Sequence, residues 1–585
     1  MGKESGRAGQ QARPAAMLRA ALLAAASGLL IAGAWAQTPT PPRTPTEVPR
    51  TQDLAPPVTP HNKGAPPERA TPPRELGKPE DELRLDVSHY AVDDSAPAEL
   101  RAALPALTAR FTGTQRGFED LVGAAAEVTR FLQRELGYYL GYAYIPEQAP
   151  QGGVVRIAVL EGRLDKIDLV WRNNIPVNRA VVEAYLARLV PGSVLKVRDV
   201  ERVVFLVNDL RGMTARFELR SGSLPGTATM VVTAAPENTY QGKVELDRNS
   251  TEALGQWRLG ALLQVNSPFG RGDGLTATAL SSHTGGLKFA LLGYNTPVGS
   301  SGLKLGTSLS VVDYQLDKDL FPLDLNGKAS TANVYALYPL VRSRNLNLFT
   351  LGSADRKAYT DKVGVGGTTK KTVDAAALGA TGDFRDTFLG GGVNTFELTL
   401  SRGRVTYDAG RPGGLDDDET YSKATAGFTR LQDVVTNRAL FYFAMRGQIT
   451  RNNLDTTEQF RLGGPDGVRA FNSGEGTGDS GAIVTGEIRL LPPEAWFGRI
   501  AREMVFSVFG DAGYVQYRYR PDTTGQLTPL RNYGRFAGAG LGFTWVRPAG
   551  FSLRLAVAKP VRGATRDGIK IEDTRGWLQA ALLFN

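Results

Sequence analysis

The 585-residue chain contains no cysteine and only three histidines, His61, His89 and His283. That composition removes thiolate nucleophiles, disulfides and zinc–thiolate sites. The histidines are scattered, which leaves no basis for a multi-histidine metal site. Gly478-Asp479-Ser480-Gly481 has the form of a protease nucleophile motif. Such a serine needs a histidine base held by an acid, and none of the three histidines is placed to serve it. No G-x-x-x-x-G-K-[ST] phosphate loop occurs either. The expected protein is not an enzyme, carries no cofactor or metal and works without nucleotide hydrolysis.

Other charged residues sit in more informative surroundings. Residues 451–479 form a long glycine-rich segment holding Gly463-Gly464 and then Val468-Arg469-Ala470-Phe471. Loops of this length inside a compact domain are functional or disordered. Glu487 and Arg489 follow, and then Phe509-Gly510-Asp511-Ala512-Gly513. What these groups do depends on the elements that hold them.

From residue 239 onward the chain falls into segments of about ten residues that alternate apolar and polar side chains, the pattern of a transmembrane barrel strand. In 439–450, Phe441, Phe443, Met445 and Ile449 share one face, with Tyr442, Arg446 and Gln448 on the other. In 482–490, Thr485, Glu487 and Arg489 share a face. Sixteen strands are expected, near 239–248, 255–266, 272–284, 286–297, 301–313, 331–341, 345–354, 371–385, 392–404, 419–431, 438–450, 480–491, 503–517, 534–547, 550–560 and 574–584. Short turns alternate with long loops at 314–330, 355–370, 405–418, 451–479, 518–533 and 561–573. In bacterial barrels the long loops lie outside. Both barrel ends then face the periplasm. In strand thirteen Val508, Gly510 and Ala512 take the outward face, so Phe509 and Asp511 point into the lumen. No later stretch is long and apolar enough for a membrane helix, and a closed barrel is the other way to pair every backbone group in lipid.

The preceding chain divides by composition. Residues 1–36 combine Lys3, Arg7, Arg13 and Arg19 with an apolar run ending Ala34-Trp35-Ala36, the pattern of a secretory signal peptide. In 37–80, 13 of 44 residues are proline, which predicts an extended linker. Residues 81–162 predict the order β-α-α-β-β, with a helix interrupted by Pro105 and an amphipathic helix over 118–136. Residues 163–236 repeat that order, which points to tandem copies of one unit. The net charge of +9 is partly the targeting segment. No basic cluster with interleaved aromatics appears, so nucleic acid is not an expected partner.

Several motifs resemble a known family. Glu147-Gln148, then 155–160 ending in Glu161-Gly162, resembles the first POTRA domain of two-partner secretion transporters. Pro191-Gly192, Asp209-Leu210-Arg211-Gly212, Gly222 and Gly226 resemble the second. The Val468–Phe471 segment resembles the V-R-G-Y/F loop of the Omp85 superfamily, and residues 509–513 resemble its F-x-D-x-G partner strand. The resemblance to ShlB/FhaC/HecB-type transporters implies two periplasmic POTRA domains, at 81–162 and 163–236, and a 16-stranded antiparallel barrel over 237–585. It implies a loop folded into the lumen by an Arg469–Asp511 pair, with Glu487 near enough to join. It also implies an outer-membrane pore of a Gram-negative bacterium. That pore would export a partner exoprotein such as a haemolysin or adhesin, captured by the POTRA domains through its N-terminal secretion domain. Lipid and the barrel-assembly machinery are the other implied partners. Ala470 departs from the family's glycine and would be strained if that position needs a positive φ. Phe584 is penultimate, where a terminal aromatic is usual. A barrel-assembly insertase, a passive porin and a surface adhesin remain the alternatives, and the presence of only two POTRA-like units disfavours the first.

Overall fold

A computed structural model of the protein describes residues 84–584, apart from 321–323, 365, 412–416, 522–530, 548–549, 565–567 and 569. The targeting segment, the proline-rich linker, the expected turn at 548–549 and Asn585 lie outside the described residues.

The helix Phe118–Arg134 buries Leu121, Ala124, Ala125, Val128 and Leu132 along one side. Asp120 accepts the Gly117 N–H at 3.1 Å and closes its start. Gly137, with φ +66°, lets the chain turn away after its end. Pro105 does not interrupt the neighbouring helix, which runs Ala98–Thr108. It stands in the last turn, where only one backbone bond is lost, and burial of Leu100 and Leu104 holds the helix together. The first unit contains more strands than expected. His89–Ala91 and Gly113–Gly117 are additional, and the expected strand over 154–160 is two. The split lies at Ile157, where the chain changes partner. Val154–Arg156 runs parallel to His89–Ala91, and Ala158–Leu160 antiparallel to Tyr142–Tyr144. Strands of three residues are too short to show a period.

The second unit has the expected order. Arg163–Trp171 lies parallel to Thr227–Pro236, which pairs antiparallel with Met213–Ser221. The helices Arg179–Leu186 and Val197–Asn208 cover this sheet. Every residue from Val203 to Asn208 is buried, which one sheet cannot do. The periplasmic turns of the barrel supply the second surface. Arg202 donates to the carbonyls of Ser301, Pro339 and Leu340. Asp209 accepts a bidentate fork from Arg342 at 2.6 and 3.0 Å.

The alternating segments form sixteen antiparallel strands closed into a barrel. In order they are Tyr240–Asp247, Arg258–Asn266, Gly274–Ser282, Leu287–Val298, Leu303–Gln315, Leu325–Arg342, Leu346–Val363, Gly367–Asp386, Gly392–Ala409, Thr420–Val435, Ala439–Thr450, Ser480–Leu490, Met504–Gln516, Tyr533–Val546, Phe551–Arg562 and Arg575–Phe584. Strands one and sixteen close the ring from Gly242 opposite Phe584 to Asp247 opposite Gln579. Strands six to nine are 18–20 residues long. They absorb much of the loops expected at 314–330, 355–370 and 405–418. A membrane crossing needs about ten tilted residues, and beyond the lipid the backbone ladder continues without an apolar outer face. Arg356 and Asp374 point outward there and are exposed. The apolar alternation therefore marks the membrane crossing and not the ends of the strands.

Candidate functional site

Strands twelve and thirteen are in register, with Thr485 opposite Asp511 and Glu487 opposite Phe509. Two-residue periodicity puts these four side chains on one face. That face is the lumen. Val508 and Ile488 are exposed on the outside, whereas Phe509 and Asp511 are each 3% exposed.

The 451–479 loop enters the lumen and brings Arg469 to this face. Its Nε and Nη2 donate to the two oxygens of Asp511, each at 2.9 Å. The backbone N–H of Arg469 donates to the same carboxylate at 3.0 Å. Nη1 donates to Glu487 at 3.1 Å, and Arg489 donates to the other Glu487 oxygen at 3.1 Å. Thr485 adds a hydroxyl donor to Asp511 at 2.9 Å. The guanidinium lies 3.2 Å from the centroid of the Phe509 ring. Trp577 on strand sixteen donates to the Arg469 carbonyl at 2.7 Å. Both the charges and the backbone of the tip are thus held. Planar fork, carboxylate and aromatic face suit arginine and not lysine.

The remaining expected residues shape the loop and its apolar seat. Val468, Ala470 and Phe471 are fully buried with Leu462, Phe509, Phe536 and Ala558. Phe471 meets Phe536 edge to face at 4.9 Å. Gly463 and Gly464 form the bend, with Gly464 at φ +122°. Gly463 has no room for a side chain, because one would begin 2.3 Å from the Asn472 carbonyl oxygen. Gly513 stands outside the ionic network. A side chain there would begin 2.7 Å from Leu462. Ala470 is not among the positive-φ residues, so alanine is unstrained. Its methyl packs on Gly538, where a Cβ would fall 2.4 Å away. Gly540 and Gly563 likewise lie under the rings of Phe509 and Phe471. These wall glycines could not be found from the sequence, since alternation alone does not say which lumen positions a loop will cover.

A second set of charges also escaped the sequence. Glu458 pairs with Lys357 at 2.9 Å and Lys423 at 3.0 Å. Asp455 accepts from Lys371 at 2.9 and 2.7 Å and from Tyr407 at 3.1 Å. Burial alone would raise both carboxyls, but the facing ammonium groups prevail and hold them below the usual carboxylate range. Lys371 and Lys423 belong to strands eight and ten, where inward parity was the only available signal, and Lys357 to the stretch of strand seven that was expected to be loop. The Gly478–Gly481 motif is structural. Asp479 accepts from the backbone N–H groups of Leu454 and Tyr519, and Ser480 from that of Thr450.

Beneath the loop the lumen holds a cavity of about 1220 Å³. Asn208, Asp209 and Arg211 of the second unit line its periplasmic end, residues 463–467 of the loop line its side, and Asn249–Thr251 line it toward the outer face. The cavity therefore runs from the periplasmic-side domain along the loop to the outer connection after strand one.

Residues 226–545 match the family model described as "Haemolysin secretion/activation protein ShlB/FhaC/HecB". The chain belongs to this family. Residues 85–162 match the ShlB-type POTRA domain. Among curated relatives, the heme/hemopexin transporter protein HuxB of Haemophilus influenzae is 24% identical over 77% of this chain and 79% of its own length. The outer membrane transporter CdiB of Dickeya dadantii is 26% identical over 72% and 74%. Among solved structures, CdiB from Escherichia coli superposes with a TM-score of 0.68 at 20% identity, covering 88% of this chain and 94% of that one. CdiB from Acinetobacter baumannii gives 0.62 at 15% identity, covering 98% of each. The protein is an outer-membrane β-barrel that secretes a partner exoprotein, with its POTRA domains in the periplasm.

Proposed function

We propose that residues 451–479 form the gate of this secretion pore, and that Arg469 with Asp511 and Glu487 is the latch that keeps it shut. The observation that carries this reading is the position of the loop. It lies in the lumen beside a cavity that begins at the second periplasmic unit, its residues 463–467 form part of that cavity's wall, and the Arg469 fork holds it there. Gly463, Gly464, Val468, Ala470 and Phe471 shape and seat the loop, while Phe509 and Gly513 are the wall against which it packs. POTRA domains at 81–162 and 163–236 capture the unfolded exoprotein, and the barrel of 237–585 passes it outward. Capture uses an edge of the three-stranded sheet, to which an extended segment adds as a further strand. Met213–Ser221 is one such edge. The protein performs no catalysis, and folding of the exported chain at the surface gives the transport its direction. Outer-membrane lipid and the barrel-assembly machinery are its other partners.

The test compares Arg469→Ala and Asp511→Ala with the parent chain in cells that produce the exoprotein. Secretion is expected to fall well below the level of correctly folded barrel in the outer membrane. Normal secretion by both variants refutes the latch. Defective insertion of other barrels, with normal export, would favour an insertase instead.

A further inference from the structure

The loop is tied down twice. Arg469 meets strands twelve and thirteen near mid-depth. Asp455 and Glu458 meet strands seven, eight and ten near the ends of those strands on the loop side. The two attachments differ in character. Asp455, Glu458 and Lys371 are each no more than 3% exposed. Asp455 also accepts from the Thr457 backbone and hydroxyl at 2.9 and 2.6 Å, so its carboxylate is saturated. The base of the loop is further closed on itself. Phe460 and Gly478 exchange backbone hydrogen bonds at 2.7 and 2.9 Å. Asp479 accepts from Gln459 at 2.8 Å, and Gln448 bridges the carbonyls of Glu458 and Asp479 at 3.1 and 3.0 Å. Between base and tip lie Gly463, Gly464, Gly467, Gly474 and Gly476, three of them with positive φ. A rigid base, a glycine-rich middle and a tip held by the Arg469 fork is the construction of a hinged flap.

We propose that Asp455 and Glu458 are positioning residues for export, holding the base of the loop on the barrel wall as the hinge about which the Arg469 tip opens. The proposal rests on the gate reading above and adds where the gate is attached. When the latch lets go, the base stays, and the tip falls back into its seat once a chain has passed. Without the lysine-bound carboxylates the whole loop leaves the lumen and does not return quickly.

The experiment uses the full-length protein in planar lipid bilayers with no exoprotein present, so its outcome does not depend on export. Barrel folding is checked for each variant by heat-modifiable gel migration. Arg469→Ala is expected to give brief openings, because the hinge still returns the tip. The double variant Asp455→Asn with Glu458→Gln, added to Arg469→Ala, removes the carboxylates that face Lys357, Lys371 and Lys423, and its open dwell times should be longer than those of Arg469→Ala alone by about a hundredfold, the shift expected when buried ion pairs lose one partner. Exchanging the pair, Asp455→Lys with Lys371→Asp, keeps the ion pair and should leave openings in the Arg469→Ala background as brief as in Arg469→Ala alone. If that exchange does not fold, Lys371→Arg in the same background keeps the cation and should also give brief openings. Dwell times in the double variant equal to those of the parent or of Arg469→Ala overturn the hinge. Long openings with undiminished secretion would leave the attachment standing and sink the export reading.

Discussion

Removing Arg469 should release the tip of the loop, and removing its partner as well should undo part of the damage. In the parent chain the Asp511 side chain is fully buried and receives three donors from Arg469 and one from Thr485. Arg469→Ala removes the two guanidinium bonds and leaves a buried carboxylate with no cation. Losing one partner of a buried pair costs about 3–5 kcal/mol. At about 1.4 kcal/mol per tenfold, even the lower figure shifts the balance between seated and free tip by about a hundredfold. Arg469→Ala with Asp511→Asn leaves no orphan charge, and an asparagine can still accept from Thr485. Its cost should therefore be smaller than that of Arg469→Ala alone, a non-additivity expected only of groups in direct contact. Arg469→Lys keeps the charge but loses the fork and should fall between them. The assay exploits the absence of native cysteine. Val468→Cys places one thiol in the apolar seat of the loop, where the parent side chain is fully buried, and its rate of modification from the outside reports how often the tip is free. Equal modification rates in the parent and Arg469→Ala would refute the latch. A double variant more labile than either single change would refute the orphan-charge argument.

Three further outcomes follow from the packing. Ala470→Gly restores the family's residue, yet it should lower loop seating by about 1–2 kcal/mol. It removes a buried methyl and adds backbone freedom at a position that does not need it, and the same thiol assay reads the change. Gly538→Val should unseat the loop while the barrel still folds, since the new side chain would begin 2.4 Å from the Ala470 methyl; unchanged thiol protection would contradict the seat. Arg342→Ala should strand the buried Asp209 carboxylate at a cost of about 3–5 kcal/mol. Faster amide exchange in Val197–Asn208 is the expected sign, and exchange as slow as in the parent would show that the second unit is held by other contacts.

How much of this was visible in the sequence depended on whether a pattern was local. Alternation located all sixteen strands, and parity put Asp511 and Glu487 on the lumen face, because both follow from two-residue periodicity. The Arg469–Asp511 contact spans 42 residues and came from resemblance. Strand ends were hidden where the backbone ladder outlasts the apolar face, as in Leu325–Arg342 and Gly392–Ala409. The lysine attachments were hidden for a different reason. Lys371 and Lys423 look like ordinary polar lumen positions until a loop lowers carboxylates among them, and Lys357 falls in the stretch 355–370 expected to be loop. Arg342 similarly reads as the end of a strand, and only the docked Asp209 shows that it fastens a second domain.

These attachments divide the molecule into fixed and movable parts. The second periplasmic unit is fastened below by Arg202 and Arg342, and a buried ion pair of this kind resists separation because each partner left behind would be an uncompensated charge. The base of the loop is fastened above by three lysines. Strands are bound to one another around a closed ring, so the wall cannot open without breaking a full ladder. What remains is the segment between Phe460 and Gly478. It contains Gly463, Gly464, Gly467, Gly474 and Gly476, lies against the cavity, and is tied to strands twelve and thirteen through Arg469. On the gate proposed above, a chain arriving from the periplasm would displace the Arg469 latch and the apolar seat of Val468, Ala470 and Phe471.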